Sequence, residues 1–184
     1  GSQASMYLST VNELDKRNSE TDLQLDVLND VQRYVDAKGR KPGTVPAQLL
    51  LTDKTLSGLL SKLYDAEFKL DQVSAINGEK SDAVQMANAD VSRIKADIKE
   101  NLNNIKNDLR TEKSSVNARI SKNNGLLSSI PQKERGLLDI SRQQAIKNNI
   151  YTYLLQKREE TALSSAGTTP DLRVLERGGG GGLI

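Results

Sequence analysis

The two side chains that carry much of protein chemistry are missing from this chain: its 184 residues include no cysteine and no histidine. Without imidazole it lacks the commonest general base and the commonest transition-metal ligand. Without thiol it has no disulfide framework and no thiolate metal site. The groups that remain are carboxylates, phenols and guanidinium groups. Glu159 and Glu160 are sequence neighbours, so on a helix they point apart. They read as a solvated face and not as the paired acid and base of glycoside cleavage. Tyr151 and Tyr153 offer hydroxyls for phosphorylation or rings for sugar stacking. The plainer reading makes Tyr151 a core residue and Tyr153 a half-buried one. Glu134 and Arg142 lie slightly more than two helical turns apart, so one face presents both. They either bridge neighbouring subunits or stand as solvated charges of little individual worth. Arg173 has a planar fork suited to an oxyanion or an oligomer contact, or it is the polar face of a strand. No D-x-D-x-D-G calcium loop occurs. The expectation is a chain with no catalytic residue, no metal and no cofactor.

Composition points the same way. The chain is 36% hydrophobic, 27% charged and only 3% aromatic, which suits thin helical layers with a narrow apolar stripe better than a thick core. Twenty-six Lys and Arg against 24 Asp and Glu leave the charge near balance, with mixed signs along every segment. That argues against a nucleic-acid partner. No run of about 18 apolar residues is present to cross a membrane. Gly1-Ser2 reads as a protease scar, with residues 1–5 outside the domain. Gly178 to Gly182 with Leu183-Ile184 reads as an added linker, 178–184. The expectation is a fragment of a longer protein.

Periodicity predicts an all-α fold, an elongated hairpin or up-down bundle over residues 6–166. Its helices span about 5–38, 53–76, 81–128 and 131–166. In the first, Leu8, Val11, Leu14, Leu25, Leu28 and Val35 recur at helical spacing, and Gly39 stops it. Its polar middle, Asp15 to Asp22, is expected to face solvent or pack loosely. GRKPGTVP at Gly39 to Pro46 is a loop, and Leu49 to Leu51 forms an apolar anchor. Thr52-Asp53 caps the second helix, whose apolar side is Leu56, Leu59, Leu60, Leu63, Phe68 and Leu70. Asn77-Gly78 ends it through tolerance of left-handed backbone. The third helix dominates. Val84, Ala87, Val91, Ile94, Ile98, Leu102, Ile105 and Leu109 follow three-four spacing, close to a heptad seam. Its roughly 45 residues make a rod of about 70 Å that must pack lengthwise on another helix. Beyond Leu109 the seam thins to Val116 and Ile120, and that end is expected to splay or to enter an oligomer contact. Ile130-Pro131 breaks the rod, with Ser129 the better cap. Leu138, Ala145, Tyr151, Leu154, Leu155 and Leu163 mark the apolar side of the fourth helix, which Gly167 ends. The segment 167–177, with Leu172 to Glu176, is strand-like. Helix pairing is left open, though a strict up-down order would bring both chain ends to one side.

One stretch carries a more specific signal. Residues 130–176 read IPQKERGLLDISRQQAIKNNIYTYLLQKREETALSSAGTTPDLRVLE. This resembles the segment before the second membrane span of bacterial polysaccharide co-polymerases linked to tyrosine autokinases. Their pattern is I-P-x-x-E-x-x-x-L-x-x-S-R, then Y-x-x-L-L, a glutamate-rich turn, and G-N-V-R before an apolar strand. The matching positions are Ile130, Pro131, Glu134, Leu138, Ser141, Arg142, Tyr151, Leu154, Leu155, Glu160 and Arg173. Pro170 to Leu172 replace G-N-V, so any role tied to that glycine or asparagine does not carry over. QQAIKNNIYTYLLQKREETALSSA is similar to the version in Bacteroides-type bacteria, as are, more loosely, Leu49 to Val73 and Asn101 to Leu109. The resemblance implies the periplasmic portion of an inner-membrane protein, with membrane spans outside this sequence and a cytoplasmic kinase domain in many members. The kinase phosphate loop G-x-x-x-x-G-K-[ST] is absent here. The implied role is a non-catalytic scaffold in capsule or exopolysaccharide assembly, controlling chain length or export. The implied partners are other copies in a ring, an outer-membrane export channel and a polymerase. The competing reading is a coiled-coil adaptor of an efflux or secretion system. Such adaptors flank their hairpin with biotinyl-like β domains, which this sequence lacks.

Overall fold

The protein is described by a computed structural model covering residues 2–37 and 52–167, with backbone alone for 161–167. It is all-helical over this range: α1 (Ser2–Asp36), α2 (Lys54–Ile76), α3 (Asp82–Asn124) and α4 (Gln132–Gly167), with a short 3-10 helix, Gly125–Ser129, between α3 and α4. The caps follow sequence chemistry. The Asp53 carboxylate accepts from the Leu56 N–H at 2.7 Å, and the Ser81 hydroxyl accepts from the Val84 N–H at 3.3 Å; each satisfies a donor that the first helical turn leaves without a partner. Asn77 ends α2 in extended backbone and Gly78 has no positive φ, so the left-handed stop expected there is not used. The rod expected to 128 tightens at Asn124 into the 3-10 turn. The Ser129 hydroxyl donates to the Leu126 carbonyl and does not cap α4. The Pro131 carbonyl instead accepts from the Glu134 and Arg135 N–H groups, and the Arg135 side chain donates back to the carbonyls of Ile130 and Ser128.

The pairing that sequence left open comes from cross-helix contacts. Along α1, Tyr7 meets Asn124, Asn18 meets Asn117, Gln32 meets Lys106 and Asp36 meets Lys99. Rising numbers face falling ones, so α1 and α3 are antiparallel. Asp15 meets Arg142 and Gln24 meets Tyr153, so α4 runs parallel to α1. The Asn77 to Ser81 turn folds α3 back on α2. Thr52 lies 3.4 Å from Gln24, which sets the start of α2 beside the later half of α1. The helices pack serially: α4 on α1, α1 on α3, α3 on α2, with no comparable contact of α4 with α2 or α3 among the described residues.

Three apolar clusters hold this row together. Leu28, Val31 and Val35 of α1 join Leu56, Leu60 and Leu63 of α2 and Val91, Ile98 and Leu102 of α3. Leu14 packs with Val116 and Ile120, and Tyr7 and Val11 with Ile130 and Leu138. The heptad-like seam of α3 therefore holds as read. Its far end does not splay: Val116 and Ile120 are buried inside the chain. The polar middle of α1 does not face open solvent either. Asp15 and Thr21 are each 5% exposed. Arg17 pairs with Glu112 at 2.6 Å, Asn18 bonds Asn117 at 3.1 Å, and Asp22 pairs with Lys113. These partners lie about a hundred residues away, so spacing within α1 cannot announce them. Phe68 is also displaced from its expected apolar side; it is 49% exposed and stacks on Tyr64, their centroids 6.5 Å apart. Gly39, Leu49 to Leu51, the side chain of Leu163 and the segment from 168 onward lie outside the described residues.

Leu102→Ala, at the α1–α2–α3 junction, is expected to cost about 3 kcal/mol in urea unfolding, whereas exposed Leu126→Ala stays within about 0.5 kcal/mol. Lys106 gives a pH signature. It is buried at 4% exposure, and its ammonium donates to Gln32. Burial, with Arg110 nearby, lowers its pKa below 10.5. Between that lowered value and 10.5 the unfolded chain binds more protons than the folded one, so Lys106 makes stability rise with pH across the window. Lys106→Met is expected to flatten that rise, read as urea midpoints between pH 8 and 10.5.

Candidate interaction surface

The structure divides the motif residues between two sides of α4. The inner side carries Leu138, buried in the Tyr7–Val11 cluster together with Ile130 of the preceding turn, and then Arg142. The guanidinium takes Asp15 bidentately, Nε to Oδ2 at 2.5 Å and Nη2 to Oδ1 at 2.8 Å. Such fork-to-carboxylate bonds are charge-assisted and directional. Asp15 hydrogen bonding raises the Arg142 pKa against burial, and Tyr7 adds to it. Arg142 therefore works within the chain, and Glu134 does not share its face. Glu134 is exposed in the first turn of α4, where its charge meets the positive end of the helix dipole. Pro131 sits just ahead of the helix, where its missing N–H costs no hydrogen bond. Farther along, the Tyr153 hydroxyl accepts from Gln24 at 2.5 Å, and Lys157 lies 5.8 Å over the Tyr153 ring. Tyr153 is the half-buried member of its pair, as read from sequence.

The outer side reverses an expectation. Tyr151 is 69% exposed and is not core; Leu154 and Leu155 are exposed beside it. The inward residues of α4 are Leu138, Arg142, Ala145, Ile146, Asn149, Ile150, Tyr153 and Lys157. Leu137, at 67% exposure, and Ile140 join Tyr151 and Leu154 on the open side. Sequence reasoning missed these two, and three-four spacing on the opposite face of the same helix was the available signal. Because α4 packs chiefly on α1, this side has no comparable neighbour among the described residues. Exposed apolar patches of this kind are typical of contact sites. Glu160 accepts from Lys157 and Gln156, and Glu159 is exposed, consistent with a solvated face. Arg173 lies outside the described residues.

One other place was a candidate for chemistry. A shallow cleft of about 180 Å³ between α1 and α3 is lined by Arg17, Glu20, Thr21, Gln24, Leu109 and Glu112. Two carboxylates border it, but that of Glu112 is held by Arg17. Among the described residues no three of the metal-ligating acidic types gather closely enough to hold an ion. Comparison with protein-family models, with curated proteins and with solved structures returns no match. The resemblance of residues 130–176 thus stands on its motif residues alone.

The Asp15–Arg142 pair is testable by a double-mutant cycle. Asp15→Ala strands a guanidinium that keeps some access to water, and is expected to cost about 2–3 kcal/mol. The apolar double variant Asp15→Leu with Arg142→Met is expected to fall within about 1 kcal/mol of the parent. Equal losses in single and double variants would remove the pair as an organiser of α4.

Proposed function

We propose that the chain is a non-catalytic scaffold that works by lengthwise contact with other protein chains. We place it in the periplasmic portion of a bacterial inner-membrane protein serving capsule or exopolysaccharide assembly and export. The observation that carries the contact reading is the outer face of α4, where Leu137, Ile140, Tyr151, Leu154 and Leu155 are exposed on a helix packed from one side only. The polysaccharide setting is supported by the motif from Ile130 to Leu155, whose inner members fix α4 on α1 and whose outer members line that face.

In this reading the protein controls polymer length or export mechanically. Copies held by membrane spans outside this sequence associate side by side and present the rods to a polymerase or an outer-membrane export channel. The drive is burial of narrow apolar stripes at about 25 cal/mol per Å². A stripe of this width associates weakly in dilute solution, and co-localisation in a membrane supplies the missing concentration.

Amine-reactive crosslinking of the full-length protein in its native membranes is expected to give a ladder of oligomers. Tyr151→Asp with Leu154→Asp is expected to shorten both the ladder and the exported polymer's size distribution, with helicity unchanged by circular dichroism. A strictly monomeric pattern in membranes would overturn the scaffold reading. A preserved polymer distribution alongside a shortened ladder would overturn the polysaccharide setting alone.

A further inference from the structure

The exposed stripe of α4 is internally symmetric. Its positions at alternating three- and four-residue steps are Leu137, Ile140, Gln144, Lys147, Tyr151 and Leu154. Read from either end the order is the same in character: apolar, apolar, polar, polar, apolar, apolar. Leu137 mirrors Leu154, Ile140 mirrors Tyr151 and Gln144 mirrors Lys147. The midpoint of every pair falls between Ala145 and Ile146.

We propose that α4 pairs with α4 of a second copy, antiparallel, about a two-fold axis passing between Ala145 and Ile146. This rests on the reading of the outer α4 face as a contact between copies, and not on its polysaccharide setting. A two-fold interface is self-complementary, so each contact occurs twice. Here Leu137 meets the partner's Leu154, and Ile140 meets the partner's Tyr151. At the centre Gln144 meets the partner's Lys147. Polar residues at a coiled-coil seam set register at some cost in stability, and the lysine stem covers apolar surface while its ammonium reaches water.

The order of the stripe, and not the charges at its ends, sets the orientation. Immediately outside the stripe stand Lys133-Glu134 at one end and Arg158-Glu159 at the other, all exposed. About that axis Glu134 falls opposite the partner's Lys157, and Lys133 opposite the partner's Arg158. Parallel pairing in register sets each charge against its own copy. Between those ends, Arg135, Asp139 and Lys147 carry charge among the exposed residues. The outer faces of the other helices differ: α2 exposes Lys62, Asp65, Lys69 and Asp71, and α3 exposes Asp90, Arg93, Asp97 and Glu100. Fewer charges along a helix face than on its neighbours is a compositional feature of interfaces.

The stripe is about 26 Å long at 1.5 Å per residue. A single helix pair of that length lies near the lower bound for specific interfaces, about 1,200 Å² in total, so the pair dissociates on dilution. Paired copies point in opposite directions. Copies anchored in one membrane with one orientation therefore cannot use the face this way, and the antiparallel pair and a same-direction ring compete for it.

Absence of native cysteine makes the test clean. In the 184-residue chain, Ile140→Cys combined with Tyr151→Cys is expected to give a disulfide-linked dimer under mild oxidation. Either substitution alone is expected to give none. In the antiparallel pair each position lies about 16 Å along the axis from its own copy, beyond the roughly 7 Å that a disulfide bridges. Sedimentation equilibrium should show dimer at about 100 µM, lost in Leu137→Asp with Leu154→Asp while circular dichroism stays helical. Dimers from either single-cysteine chain, or a folded monomer at about 100 µM, would overturn the pairing. A membrane ladder that persists without these crosslinks sinks the antiparallel pair and leaves the scaffold. Crosslinks from a chain that is monomeric in membranes sink the scaffold and leave the pair.

Discussion

Everything in this fold hangs on one helix packed from two sides. The row runs α4, α1, α3, α2, so α1 must satisfy α3 on one flank and α4 on the other. It does so with a mixture that no single amphipathic stripe provides. Leu14, Leu28, Val31 and Val35 serve the α3 side, while Tyr7, Val11, Asp15 and Gln24 reach toward α4 and the turn before it. The middle segment of α1, Asp15 to Asp22, has no apolar side chain to bury. The gap is closed by polar pairs. Burial of hydrophobic area drives the association of the helices, but over Asp15 to Asp22 the contacts that fix their relative position are hydrogen bonds and ion pairs.

Those polar contacts differ in what they do. The pairs Arg17–Glu112, Asp22–Lys113 and Asp36–Lys99 are a third or more exposed at both partners, and contacts of that kind contribute at most about 1 kcal/mol each. Lys99 lowers the pKa of the exposed Asp36 carboxyl through its hydrogen bond, a local effect with small leverage on folding. Asp15–Arg142 is different, because the carboxylate is buried and the fork geometry admits one orientation. Desolvating such a pair offsets much of its attraction. Its return is in register: slide α4 by one residue and the guanidinium leaves Asp15, stranding a buried charge. Asn18 shows the cost of a polar seam. It donates to Asn117, but its own buried oxygen has no protein partner.

How much of this was legible in the sequence follows from where the information resides. The α3 seam was readable because Val84, Ala87, Val91, Ile98 and Leu102 are close in sequence and share one face. The caps at Asp53 and Ser81 depend on residues three positions apart, so they too are local. The polar α1–α3 seam was not readable, because Arg17, Asn18 and Asp22 look solvated until Glu112, Asn117 and Lys113 are brought beside them. Tyr151 and Phe68 fail for a related reason. Hydrophobicity says that a side chain prefers burial, but not whether the fold supplies a partner at that place. On α4, two faces of similar periodicity competed. Leu138 and Arg142 won the inner one because Asp15 provides the only buried carboxylate on α1, which no count of apolar residues reveals.

The partition of the motif bears on what its spacing means. Ile130, Leu138 and Arg142 point inward and set the height and rotation of α4 on α1; Glu134, Tyr151, Leu154 and Leu155 point outward. The two sets are complementary: the inner residues fix α4 on α1, and the outer ones are thereby held at fixed positions along it. Rigidity matters energetically because a pre-positioned stripe pays less ordering entropy on contact. For a face with so few apolar residues, fixed placement matters more than area, and the Asp15–Arg142 pair, itself turned inward, is what holds the opposite side of α4 in place.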